Sequence, residues 1–275
     1  MRPSSRAFLL PALALTVVIL SGCAGVKTNA PGQPSASAKD PKELWNAFIA
    51  GSGEAASFTL EASLVAQSPQ KSARLLATFR GNAEGPLRLD LASSLGQTYA
   101  LWREGSDGWL AVYPLSREAF THTSTKAALA KLGMPFPFGL KELAALATGR
   151  YGLFFPATYS SVKKAPQGYE YALPSSSPVA TVLLDAQGKP LRFVSRGIEP
   201  WSVDLGDFST EPGLQWTAQK ISLTTPGGSR AILRVKKLTL SPALMDVKSL
   251  ELPVPPGITV TPLGGADDVD MPPMP

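Results

Sequence analysis

One cysteine and one histidine are all that 275 residues contain, and that scarcity removes whole classes of chemistry. A single cysteine closes no disulfide within the chain, and a zinc site needs three or four thiol, imidazole or carboxylate ligands together. Cys23 and His122 supply no such cluster. Neither a Gly-x-Ser-x-Gly elbow nor a glycine-rich phosphate loop is present. His122, between Thr121 and Thr123 ahead of a helix start, reads as a surface or capping residue. Asp204, Asp207 and Glu211 read as a polar strand edge followed by a turn. The sequence therefore points to a protein without catalytic residues, metal or cofactor. Charge is scarce too. Charged residues make up 17% of the chain, against about 25% in an average soluble domain. The net charge of +5 includes Arg2 and Arg6, so the remainder is only mildly basic. Arg234, Lys236 and Lys237 fall in an alternating strand and read as a solvated face, which argues against nucleic acid as a partner.

Long hydrophobic runs are also few. Ala7 to Leu20 is uncharged and mostly apolar, follows Arg2 and Arg6, and contains Pro11. At about 14 residues it is short for a membrane span, which needs about 20, and it has the layout of a signal-peptide core. Leu20-Ser21-Gly22-Cys23 follows and looks like a bacterial lipobox, in which cleavage precedes a cysteine that carries diacylglycerol. The other reading is an ordinary signal peptide with an incidental cysteine. On the lipobox reading residues 1–22 are removed, Cys23 is lipidated, and residues 23–39, rich in Ala, Ser, Pro and Gly, form a flexible tether. Acyl chains contribute about 0.8 kcal/mol per buried methylene, so two or three anchor firmly. Ala24 and Gly25 lack the aspartate that retains enteric lipoproteins in the inner membrane. The expected address is the outer membrane, lipid-anchored and facing the periplasm.

The folded part opens with Asp40-Pro41-Lys42-Glu43, an N-cap followed by proline at the first helical position. Leu44, Trp45, Phe48 and Ile49 give that helix one apolar face. Strands then dominate, with Phe58-Leu60-Ala62-Leu64 and Leu87-Leu89-Leu91 alternating against polar neighbours. About eleven strands are expected, interrupted by two short helices, one capped at Thr123 or Ser124 and one from Leu140 to Thr148. A domain spanning 40–261 and a Pro-, Gly- and Asp-rich disordered tail at 262–275 complete the chain. So long an antiparallel sheet must curl to bury a face. The helices on its concave side either fill the interior or cover an apolar cavity, and periodicity leaves both open. Within this pattern Leu95 stands alone among Ser93, Ser94, Gly96 and Gln97, at what should be a hairpin tip. It is either exposed there or folded back into the core.

The stretch Leu87 to Gly149 resembles the LolB family of outer-membrane lipoprotein insertases. The resemblance rests on the strand ending in Ser94-Leu95-Gly96 and a further hairpin. It rests most of all on Gly133-Met134-Pro135-Phe136-Pro137-Phe138 leading into Leu140-Lys141-Glu142-Leu143 and Gly149. Leu252-Pro253-Val254-Pro255-Pro256-Gly257-Ile258-Thr259-Val260 is similar to endings seen across LolA-like proteins. Ser94 departs from the family, which commonly has proline there. The resemblance implies a mainly β fold, an unclosed antiparallel β-barrel with a helical lid. It implies an outer-membrane protein that receives client lipoproteins from a LolA-like periplasmic carrier and inserts them beside outer-membrane phospholipid. The alternative is an envelope lipoprotein that binds or stores lipid, or packs on a partner, without inserting clients. Leu95 would be the membrane-insertion residue. Phe58, Leu60, Leu87, Leu89 and Leu91, with Phe136, Phe138 and Leu143 from the lid, would line the acyl cavity. If Cys23 carries the anchor, Cys23→Ala should abolish lipid attachment, read as loss of palmitate labelling; labelling that persists in the variant refutes the assignment.

Overall fold

The computed structural model describes residues 40–134 and 136–264. The proposed signal peptide, Cys23, the tether, Pro135 and residues 265–275 lie outside the described residues. Fourteen strands form one sheet: β1 (Ser57–Gln67), β2 (Ser72–Asn82), β3 (Leu87–Ala92), β4 (Thr98–Gly105), β5 (Gly108–Tyr113), β6 (Glu118–His122), β7 (Ser161–Ala165), β8 (Gly168–Ala172), β9 (Val179–Asp185), β10 (Pro190–Ser195), β11 (Ser202–Phe208), β12 (Ala218–Thr224), β13 (Arg230–Ser241) and β14 (Val260–Pro262). Their order is β14-β6-β5-β4-β3-β2-β1-β13-β12-β11-β10-β9-β8-β7. Every neighbouring pair is antiparallel except β14, which lies parallel to β6. The end strands β14 and β7 do not pair, so this is an unclosed barrel.

The expectation of about eleven strands falls short by β6, β7 and β14, all at or beside the free edges. Natural edge strands are short and carry lysine or proline, which discourages further pairing. Lys163 and Lys164 sit in β7 and Pro262 ends the three-residue β14, so the residues that protect the edges also hide the strands. The tail boundary moves as well. Pro262 is in β14, and Leu263 is buried with its N–H bonded to the Thr121 carbonyl. A β-bulge in β13 explains the adjacent lysines: Glu61 pairs with Lys237 and Ala62 with Val235, so Lys236 is the extra residue.

The three helices obey their local signals. In α1 (Pro41–Ala50) the Asp40 carboxylate accepts from Lys42 N–H at 2.9 Å, and Gly51 closes the end with its N–H on the Ala47 carbonyl. In α2 (Thr125–Lys131) Ser124 is the cap, and α3 (Leu140–Thr148) ends at Gly149, which is left-handed with φ 71°. Glu104 at the end of β4 serves both inner helices: it accepts from Thr125 Oγ1 and from Leu140 N–H at 3.0 Å. His122 takes the capping role expected of it, its Nδ1 accepting from Ser124 N–H at 2.9 Å.

On the concave side the apolar face of α1 enters a cluster of aromatic rings. Phe48 stacks on Tyr151 at 4.9 Å and meets Phe155 at 5.2 Å, while Trp45 packs on Tyr171 at 5.1 Å. Two buried polar atoms are satisfied across the chain: Trp45 Nε1 donates to the Ala157 carbonyl and Tyr171 Oη to the Pro41 carbonyl. On the convex side the C-terminal segment lies over β4–β6, where Leu252, Val254 and Ile258 pack against Val112, Ala119 and Leu110. Arg88 Nη1 holds this strap through the Glu251 carbonyl, and Asn82 exchanges two hydrogen bonds with the Met245 backbone. Phe48 is fully buried, so Phe48→Ala should cost about 3–5 kcal/mol of stability in urea unfolding. A loss below about 1 kcal/mol, the ordinary effect of a point change, would mean that α1 is not docked as described.

Candidate functional site: an apolar cavity with an exposed rim

The antiparallel registers put six hairpin connections on one rim of the sheet: 68–71, 93–97, 114–117, 173–178, 196–201 and 225–229. Between the concave face and the lid lies a cavity of about 480 Å³, within the range of about 300–1,000 Å³ usual for small-molecule sites. It opens toward this rim, because Ser68, Lys71, Thr225 and Ser229 belong to its wall. Deeper in, the wall is almost wholly hydrocarbon and aromatic. The interior is thus divided. Aromatic rings around α1 fill the side facing β8–β10, and the space beside β1–β4 and β11–β13 is left hollow.

Of the residues proposed from sequence, Leu60, Leu89, Leu91, Phe136, Phe138 and Leu143 line the cavity. Phe58 and Leu87 do not: both are buried in packed core. The reason lies in Gly81, which pairs with Phe58 on one side and Leu87 on the other. A Cβ at Gly81 would come within 2.7 Å of Leu87 Cδ2, so Leu87 occupies the room that glycine leaves. Phe58 meets Phe79 edge to face at 5.0 Å and fills the same closed end.

The lid segment after α2 places Met134, Phe136 and Phe138 on the cavity. Phe138 is anchored by Trp201, ring to ring at 4.9 Å, and by Phe154 at 5.8 Å. The Glu142 carboxylate accepts from Gly139 N–H at 2.9 Å and fixes the entry to α3. Sequence reasoning did not single out Phe79, Trp102, Tyr113, Ile221 or Leu223, which also line the cavity. In β2 and β12 the period-two pattern could have found Phe79, Ile221 and Leu223.

Leu95 projects from the β3–β4 hairpin with 94% of its surface exposed. The turn beneath it is well made: Ser93 Oγ accepts from Leu95 N–H at 3.2 Å and from Gln97 N–H at 3.1 Å. Gly96 takes φ 83°, a conformation glycine enters without steric cost. The leucine is held out on a braced support. Cys23 lies outside the described residues. Among those residues no helix is long and apolar enough to cross a membrane, and no group of three metal-ligating side chains occurs.

No protein-family model matches this chain, and no curated protein sequence does. Solved structures do match in fold. A LolA superfamily protein from Nitrosomonas europaea aligns with TM-score 0.51 at 9% identity, over 76% of this chain and 95% of that one. A putative outer membrane lipoprotein-sorting protein domain from Vibrio parahaemolyticus gives 0.47 at 13% identity over 75% and 94%. A DUF1329 family protein from Desulfovibrio piger gives 0.49 at 10% over 76% and 97%. At these identities the likeness is one of fold, and the first of the three establishes it: this chain has the mainly β, unclosed LolA-like architecture.

Ala100 is buried on the cavity wall, so Ala100→Phe should fill the hollow without burying a charge. Binding of a fluorescent acyl probe should weaken tenfold or more, by about 1.4 kcal/mol, with the fold retained. Unchanged binding would place the probe elsewhere. Burial pushes the Tyr113 hydroxyl up to about 12, although the Trp102 indole pulls the other way. The tyrosine therefore stays neutral, and probe affinity should be flat between about pH 6 and pH 9.

Proposed function

We propose that this protein is a lipid-anchored receiver of acyl chains on the periplasmic face of the outer membrane, and that it inserts client lipoproteins there. The observation that carries the reading is the apolar cavity opening on the rim from which Leu95 projects. An acyl chain entering such a hollow leaves water for a wall of leucine, phenylalanine and alanine, at about 25 cal/mol per Å² of apolar surface buried. Neither cofactor nor covalent chemistry is required. The chain passes from a weaker carrier to this cavity and then to the bilayer. The LolA-like fold supports an envelope role in handling lipoproteins or lipid. The lipobox reading of Cys23 supports anchorage, with residues 23–39 as the tether. The partners on this reading are a LolA-like carrier, client lipoproteins and outer-membrane phospholipid.

Leu95 would act at the last step. Burying one leucine contributes about 1.5–3 kcal/mol, too little to anchor a protein but enough to tilt a tethered domain so that its mouth meets the membrane. Ser93, Ser94 and Gly96 keep charge away from the tip. Leu95→Glu should change stability by no more than about 0.5 kcal/mol, as expected of an exposed site. Receipt of a radiolabelled lipoprotein from its carrier should persist, while delivery to liposomes falls sharply. A stable variant with undiminished delivery would defeat the insertion role and leave lipid storage as the better description.

A further inference from the structure

The rim that carries Leu95 carries a second tip of the same kind. Ile198, in the β10–β11 connection, is fully exposed at 101%. Exposed aliphatic side chains are common, but this one is supported as carefully as Leu95. The neighbouring Arg196 guanidinium donates to the Leu173 and Pro174 carbonyls at 3.0 and 3.1 Å, tying this turn to the β8–β9 connection. Ser195 Oγ accepts from Trp201 N–H at 2.8 Å, and Trp201 packs on Phe138 of the lid. Gly197 has φ 128°. The turn is closed at its base, and Ile198 is the one large apolar side chain among its exposed residues, Arg196 to Pro200.

Strand order fixes where the two tips stand. Along the rim the hairpins run β5–β6, β3–β4, β1–β2, β12–β13, β10–β11 and β8–β9. The two central hairpins, β1–β2 and β12–β13, contribute the mouth of the cavity. Leu95 and Ile198 therefore stand on either side of that mouth, one hairpin out in each direction. Leu115, 52% exposed, lies one hairpin beyond Leu95.

Charge separates the two rims. Connections on the mouth side hold Lys71, Arg117 and Arg196 against Glu199, with exposed Arg230 opening β13 and exposed Glu118 opening β6. Hairpin connections on the far side hold Glu84, Glu211 and Asp107, the last paired with Arg103, against Lys189, and the segment leaving β13 there adds Asp246 and Glu251 against Lys248. Apolar tips set among cations, with an acidic surface facing away, match a bilayer bearing anionic headgroups. Cations meet phosphate there while aliphatic side chains pass below it.

We propose that Ile198 is a second membrane-insertion residue, so that the domain stands on an anionic phospholipid surface with the cavity mouth between two inserted tips. This rests on the reading of the cavity as one that delivers acyl chains to a membrane. With two tips the mouth is pressed flat against the lipid; a single tip would leave the domain free to pivot.

The test uses the full-length lipidated protein reconstituted in vesicles. Single cysteines at Ile198→Cys, Leu95→Cys and Leu244→Cys are each labelled with an environment-sensitive fluorophore. Leu244 is exposed and follows β13 at the opposite rim, so it reports the same anchored protein away from the contact. On vesicles of phosphatidylethanolamine and phosphatidylglycerol, labels at 198 and 95 should brighten severalfold and shift to the blue, and the label at 244 should not. The response should shrink on phosphatidylcholine alone, and at about 1 M salt, where the screening length is about 3 Å. A label at 198 that stays as in water while that at 95 responds would overturn the two-sided footing and leave the insertion reading standing. Equal responses on neutral and anionic vesicles would overturn the electrostatic half. If both labels respond while carrier-to-liposome transfer fails, the footing holds and the insertion reading is the one lost.

Discussion

An antiparallel sheet curled this far must cover its concave face, and on one side it does so through Phe48. That ring lies within 6.2 Å of Tyr151, Phe155 and Phe193, on a helix whose Trp45 and Pro41 are tied to Ala157 and Tyr171. Aromatic side chains of this size bury about 150–250 Å² each, so a few of them cover much of the surface that folding must remove from water. Because this plug provides so much of the burial in one half, the other half can remain hollow. An empty, apolar-lined space forgoes van der Waals contacts, and the cavity exists because stability is gathered elsewhere.

The mouth is organised with similar economy. Turn residues alone build the rim, and each apolar tip is held by hydrogen bonds from serine or arginine side chains in or beside its own turn. The lid reaches the same region through Phe138, locked between Trp201 and Phe154. Lid and rim therefore share one residue, Trp201. Its ring contacts the lid phenylalanine and its backbone closes the Ile198 turn.

Much of the architecture was legible in the sequence because it is local. Asp40 before Pro41, Gly149 after the last helical turn and the alternation of Leu87, Leu89 and Leu91 each state a conformation within a few residues. What was not legible depends on depth or distance. The same alternation puts Leu87 and Leu89 on one face, but only the position of Gly81 in the adjoining strand decides that Leu87 packs and Leu89 lines a cavity. Tyr171 meets the start of α1 across 130 residues, which no window of sequence can register. Ile198 was missed because a lone aliphatic in a turn leaves no period; Leu95 was noticed only because serines and a glycine framed it. The edge strands escaped for the opposite reason, since lysine and proline there oppose the usual strand signature.

The gap between β14 and β7 bears on how much the protein can hold. In a closed barrel, strand number and shear together set the radius, so its interior cannot widen without breaking ladder hydrogen bonds. Here, among the described residues, no ladder joins the two end strands. The sheet can change its curvature as a leaf spring does, every ladder intact, with only side chains on the concave face sliding past one another. The volume of the hollow is thus not fixed by its ladder hydrogen bonds, as that of a closed barrel would be.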